Sequence, residues 1–411
     1  MSAYTGYLIR RTRLEKNLSQ EGLAKGICAA SYLSKIEQGL VEPGQDIIDR
    51  LFEALGIGFI RDPELEAEAQ RQLEQYLFLV EGDEPAPRQE AFFERHGERL
   101  ARSEFALSYL VFRLISTARL DSMDSTCALL EQIEPYAHCL NVRLRQWVLI
   151  VKAEYQARWE DEWAALEEAA QLGRSALVIY KQAKCAYLRG KYSLSVELAE
   201  QAYSQAAYEG NVATMIWSSF LLGCCACNRH DMELAKRYYQ RTAALTRGYR
   251  MEMDSYINYN LGSTYLEMGD DENALRYLQK TEEKEGDMIH NTLLHQKLTI
   301  VLCRTGNAEA GRAHLQRARM HFDGTDWQNK KRVRLMEQML RFAALLTQEG
   351  AQESEEFERV TRTLYDEAGD YYGFGFRRFY GRYLIEIYKK QRRYKEALSV
   401  REEMERIYVP E

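Results

Sequence analysis

Lys35, Ser31 and Ala30 carry groups that can meet base edges. A lysine can donate to guanine O6 and N7, a serine can bond to several bases, and an alanine can touch only a thymine methyl. Arg10, Arg13, Tyr32 and Ser34 can hold backbone phosphates, contacts that set register without reading sequence. Residues 1–35 carry Arg10, Arg11, Arg13, Lys16, Lys25 and Lys35 against only Glu15 and Glu21, so this end is basic although the whole chain has a formal charge of −7. Phosphate contact responds to charge within a Debye length of roughly 10 Å, and the acidic remainder suppresses promiscuous binding to nucleic acid.

The stretch Leu18–Gly39, LSQEGLAKGICAASYLSKIEQG, positions these groups. Ser19 is an N-cap, and Leu23, Ala24 and Ile27 follow at helical spacing. Cys28 and Ala29 fall at a turn. Ser31 to Gln38 forms a second amphipathic helix with Leu33 and Ile36 inward, stopped by Gly39. Two helices so joined make a helix-turn-helix that fits a major groove.

Residues 4–57 resemble the helix-turn-helix of the phage-repressor and Xre class. The resemblance is carried by Ile9-Arg10 and Arg13, Leu18-Ser19-Gln20 with Leu23-Ala24, Ser34 through Gly39, and Pro43 before a final helix. It implies that Ala30, Ser31 and Lys35 face the bases, and that Gln20 clamps a phosphate and buttresses the recognition helix. The wording ICAASYLSKIEQG, followed by a long helical-repeat region, is similar to the peptide-sensing regulators of Gram-positive bacteria, the PlcR, PrgX and Rgg group. One such head reads few base pairs, so useful affinity implies a homodimer on a two-fold operator. The helix Glu64–Val80 and the C-terminal hairpins are candidate dimer surfaces, as the resembled family dimerises through such regions.

The rest of the 411-residue chain is rich in Ala, Leu, Glu, Arg and Gln, with 6 Pro, 27 Tyr and few strand-like runs, and all-α is the expected class. The boundaries read as a DNA-binding domain over 1–60, a linker helix and an acid- and proline-rich loop over 61–87, and repeats over 88–411. Ala183–Gly190, Leu222–Arg229 and Leu261–Met268 are copies of one pattern, and Ser195, Ala235, Ala274 and Ala310 follow 40, 39 and 36 positions apart. Tyr259–Leu278 resembles the tetratricopeptide consensus at Leu261-Gly262, Tyr265, Gly269, Ala274 and Leu278, and Tyr388 to Leu398 matches again. A hairpin cannot bury its own apolar face, so about eight stack into a right-handed superhelix with an inner groove.

Residues two and three before each repeat's small position, and one after, should face that groove. This selects Tyr180, Lys181, Lys184, Phe220, Tyr259, Asn260, Ser263, His295, Gln296, Arg382 and Tyr383, with Trp217 and Tyr256 one turn earlier. Asn260 can both donate to and accept from a peptide backbone, as asparagines on the inner helices do in the resembled regulators. Lys181, Lys184 and Arg382 can take a terminal carboxylate. Aromatics at this spacing also serve as core.

Cys28, Cys127, Cys139, Cys185, Cys224, Cys225, Cys227 and Cys303 lack a zinc-type spacing and read as reduced core residues, with a redox or metal sensor at Cys224–Cys227 as the alternative. His290 with His295, and His314 with His321, are wrongly spaced to chelate a metal from one helix face. Catalytic motifs are missing, and Gly373 with Gly375 lacks the strand a dinucleotide site requires, so neither enzyme activity, cofactor nor metal is expected. No apolar run approaches the ~20 residues of a membrane span. The expectation is a cytoplasmic DNA-binding regulator whose repeats bind a short peptide. A protein partner on the repeats, or a scaffold without a ligand switch, are the alternatives.

Overall fold

The computed structural model describes residues 2–82, 84–120, 123–155, 159–249, 252–324, 330–372 and 374–406, and among them there is no strand. Asp83 of the acidic loop and Gly373 lie outside the described residues. The chain forms two compact units, Met1–Arg174 and Ser175–Glu411.

The first unit begins with α1 (Ser2–Glu15), α2 (Gln20–Ala24), α3 (Ala30–Glu37) and α4 (Gln45–Leu55). Leu8, Ile9, Leu23, Leu33, Ile36, Leu51 and Leu55 form its buried core. Ser19 caps α2, its hydroxyl accepting the Gly22 amide at 3.0 Å. Helices α1 and α3 touch at Gly6, where a Cβ would lie 2.0 Å from the Ile36 carbonyl oxygen, so no other residue fits without parting them.

Next come α5 (Pro63–Glu81), α6 (Pro87–Leu100), α7 (Ala106–Arg119), α8 (Met123–Ile133), a 3-10 turn (Glu134–Cys139), α9 (Val142–Glu154) and α10 (Trp159–Leu172). Asp62 caps α5 through the Leu65 amide at 3.0 Å and pairs with Arg99 at 2.6 Å, tying that helix to α6. Tyr7 of α1 packs edge-on against Tyr136 of the 3-10 turn, centroids 5.2 Å apart, so the head is fastened within this unit.

The second unit holds α11 (Ala176–Leu188), α12 (Tyr192–Glu209), α13 (Val212–Asn228), α14 (Met232–Thr246), α15 (Asp254–Met268), α16 (Asp271–Gln279), α17 (Met288–Arg304), α18 (Ala308–Asp323), α19 (Lys330–Leu346), α20 (Glu355–Tyr372), α21 (Phe374–Lys390) and α22 (Tyr394–Arg406). These pair as successive antiparallel hairpins, as α7 with α8 and α9 with α10 do in the first unit. Asn211, Asp231, Asp270, Asp287 and Asn307 each cap a helix by accepting a backbone N–H at 2.9–3.1 Å. Each such cap contributes about 1 kcal/mol and fixes where its helix starts.

The small residues named by the repeat pattern lie where paired helices cross. Ser195, Ala235 and Ala274 are fully buried, while Ala310 is half-buried. A Cβ on Gly223 would meet the Tyr239 ring at 2.4 Å, and one on Gly262 would meet Leu278 at 2.7 Å. His230 takes the left-handed conformation (φ 59°) at a turn whose equivalent in the next repeat is Gly269 (φ 88°), an uncommon choice for a residue with a Cβ.

Candidate nucleic-acid interface and repeat pocket

In the head, α3 presents Ser31 and Lys35 to solvent and Ala30, Tyr32 and Ser34 half-buried beside them. Its opposite face buries Leu33, Ile36 and Glu37. Ser34 Oγ accepts from Gln38 at 3.3 Å. Arg10 is half-buried, its guanidinium 5.9 Å from the Tyr136 ring centroid.

Arg13 differs from the sequence expectation. It is 8% exposed and donates to Glu37 from Nε (2.6 Å) and Nη2 (2.9 Å), while Nη1 donates to the Leu18 carbonyl at 2.7 Å. A guanidinium so engaged holds α1, the following turn and α3 together and is not presented to a phosphate. Gln20 completes the arrangement, donating to Glu37 Oε2 at 2.8 Å. Glu37 organises this network. Its signal in the sequence is a carboxylate on the apolar side of α3.

In the second unit, α11, α13, α15, α17 and α21 surround a cavity of about 90 Å³. Tyr259, Asn260 and Ser263 of α15 line it as the repeat register predicts, together with Cys224, Lys297 and Phe379. Lys297 is 3% exposed, with Nζ 3.6 Å from the Phe379 ring centroid and 5.2 Å from that of Phe376. Burial pushes its ammonium down to about 7, with the Glu267 carboxylate pulling the other way. Asn260 donates to the Cys224 sulfur at 3.4 Å. The Ser263 hydroxyl oxygen is buried without a well-formed hydrogen bond among the described residues.

Glu267 and Asn228 also line this cavity, and through them α21 is bound to α15 and α13 by a buried ion pair and a hydrogen bond. Arg378 donates to Glu267 Oε2 at 2.8 Å and to the Asn228 carbonyl at 2.6 Å, and its Nε also meets Glu267 Oε1. His230 lies 3.4 Å from the same carboxylate. Burial alone would raise the Glu267 pKa, but the His230 hydrogen bond and the charges of Arg378 and Arg382 bring it down to about 2.

The remaining groove candidates are distributed differently. Trp217, Phe220 and Tyr256 form a half-buried aromatic row, with centroids 6.0 Å and 6.5 Å apart, and Tyr256 donates to Asp287 at 2.9 Å. Tyr180 packs by Ala183 and Leu222, Lys181 is half-buried and Lys184 exposed; none lines the cavity. Four expectations are corrected. His295 is 3% exposed and turned to His314 and Glu283, and Gln296 is fully buried and donates to the Tyr380 hydroxyl at 3.3 Å. Arg382 is spent on the Glu267 carbonyl oxygen, and Tyr383 packs on Phe342 with centroids 5.0 Å apart. On α17 no small residue marks the inner face, so the register slipped past Lys297.

The eight cysteines are free thiols. Burial pushes Cys225 up to about 12 and raises Cys224 and Cys227 as well, which keeps these thiols protonated and unreactive.

The fold and the head define a helix-turn-helix protein with a helical-repeat array, and residues 9–60 match the helix-turn-helix family model. Known structures share the fold of most of the chain. The apo form of the quorum sensor NprR from B. thuringiensis has 13% identity and a TM-score of 0.59, covering 84% of this chain and 100% of that one. A Rap protein complexed with competence and sporulation factor has 14% identity and a TM-score of 0.64, covering 84% and 98%. NprR in complex with its cognate peptide NprX has 12% identity and a TM-score of 0.58, covering 81% and 99%. Comparison with curated proteins returns no match. No helix among the described residues is long and apolar enough to cross a membrane.

Proposed function

We propose that this chain is a cytoplasmic transcription regulator that binds duplex DNA through α3 and a short peptide through its repeats. Lys35 and Ser31 read base edges, with Ala30 beside them, while Gln20, Tyr32, Ser34 and Arg10 support the backbone contacts. Two heads are needed for a stable complex, so the regulator acts as a homodimer on a two-fold operator. In the repeats, Asn260 bonds to peptide backbone, the Trp217–Phe220–Tyr256 row takes apolar side chains, and an acidic group of the peptide, such as its terminal carboxylate, seats against Lys297.

The observation that carries this reading is Lys297, a lysine held in an aromatic cavity one helix away from Asn260. Such a group is costly until an anion joins it, and an arriving carboxylate restores its full charge. Peptide binding then changes DNA affinity only if it favours one arrangement of the two heads.

Fluorescence anisotropy on the duplex upstream of the protein's own gene tests this. A pool of short synthetic peptides with free C-termini should change the binding curve, and the same pool with amidated C-termini should have less effect. A protein that binds the duplex but ignores both pools contradicts the peptide reading. One that fails to bind the duplex at low salt contradicts the whole.

A further inference from the structure

The α17–α18 hairpin gathers groups that neither the pocket nor the head employs. Glu283, in the segment before α17, lies 2.6 Å from His295 Nε2 and 3.3 Å from His321 Nε2, using its two carboxylate oxygens. The ligand atoms of Glu283, His295 and His321 all fall within 4.8 Å of one another. His295 comes from α17 and His321 from α18, and their rings lie nearly parallel (7°) with centroids 5.7 Å apart. On the far side of His295, Nδ1 is 2.9 Å from Nδ1 of His314.

We propose that Glu283, His295 and His321 form a binding site for a divalent transition-metal ion, with zinc as the best-matched metal. Two imidazoles and one carboxylate are a recognised three-protein-ligand zinc set that leaves a coordination position for water. Donor atoms around one ion at ~2.0–2.2 Å sit about 3–3.5 Å apart, so the Glu283–His321 pair is already at that separation and the others need small side-chain shifts. Imidazole with carboxylate is a borderline donor set, unsuited to calcium or magnesium, which prefer all-oxygen sites.

The surroundings support the same assignment. His314 stands where a ligating histidine needs its second partner, since His295 can donate Nδ1–H to it and present a bare Nε2 to the ion. His295 is buried, fixing the inner ligand, while Glu283 and His321 keep 33% and 21% of their side-chain surface open, which gives the ion an entry path. Arg317 donates to the other oxygen, Glu283 Oε1, at 2.6 Å, which leaves Oε2, the oxygen nearer His321, for the ion. On binding, His295 changes tautomer: its Nε2 proton goes to solvent, His314 passes its Nδ1 proton across to His295 Nδ1, and His314 takes a proton from solvent at Nε2, so each ring stays neutral.

Full-length protein, stripped with chelator and dialysed, should bind one equivalent of zinc by titration calorimetry. Cobalt(II) should give a d–d absorption band without thiolate charge transfer. His321→Ala and Glu283→Gln, both at solvent-accessible positions, should each weaken zinc binding at least about tenfold while keeping the wild-type helical circular dichroism. If His321→Ala fails to fold, Glu283→Gln alone decides. Absence of zinc binding, a thiolate-to-cobalt band, or wild-type affinity in the folded variants would each overturn the site.

Discussion

The head and the repeat unit each bury an arginine–glutamate pair, with different consequences. Arg13 and Glu37 are 24 residues apart, and all that surrounds them serves to hold α1 against α3. Arg378 and Glu267 are 111 residues apart, and their pair stands beside a cavity that also contains a lysine over an aromatic ring. In the head, buried charge is fully matched, which frees the outer face of α3 for recognition. In the repeats Glu267 is already engaged by Arg378, so Lys297 has no carboxylate of its own among the described residues, and in the proposed function it takes the ligand's.

The largest effects should come from breaking the two pairs. Glu37→Ala and Glu267→Ala each strand a buried arginine, and each should cost ~3–5 kcal/mol in urea denaturation of the full chain. Glu37→Ala should also abolish DNA binding, because α3 loses its anchor. Glu267→Ala should leave the α3 surface intact in amide exchange, and loss of protection in both units from either substitution would show that the two pairs act as one.

Lys297 sharpens the contrast through pH. Its folded pKa of about 7 lies below the ordinary lysine value, so between them the unfolded chain binds more protons than the folded one. Stability from this group therefore rises with pH from about 7 toward 10, and its cost is present in full below 7. Buried tyrosines and thiols act in the opposite direction at high pH, so the quantity to measure is the difference between wild type and Lys297→Met. That variant should be more stable by ~1–4 kcal/mol at pH 6.5, with the gap narrowing as pH rises and closing only toward pH ~10. A gap that widened with pH would contradict the assignment.

Smaller effects test the frames of the two regions. Gly262→Ala drives a methyl into Leu278 and should cost ~1–3 kcal/mol, measured as a shift of the urea midpoint. Ser19→Ala removes the cap on α2 and should cost about 1 kcal/mol by the same assay.

What the sequence discloses follows from how local each feature is. The head is legible because its caps, turn and apolar spacing fall within about forty consecutive residues. The repeats are legible where a glycine marks the crossing, and on α15 the spacing around Gly262 finds Tyr259, Asn260 and Ser263 at the cavity. The same spacing applied to Gly223 reaches Cys224, and applied to Gly381 it reaches Arg378 and Phe379, residues that the choice of Arg382 and Tyr383 passed over. Nothing comparable marks α17, and Lys297 could not be separated from His295 and Gln296. The cluster of Glu283, His295, His314 and His321 escapes any test of spacing on one helix, because α17, α18 and the segment before them each supply part of it.

The most direct measurement is fluorescence anisotropy of the full-length protein on the duplex upstream of its own gene, wild type against Lys35→Ala. Lys35→Ala should lose ~1–3 kcal/mol of binding, with relaxed preference at one base pair of each half-site. Superimposable curves and unchanged sequence preference would contradict it.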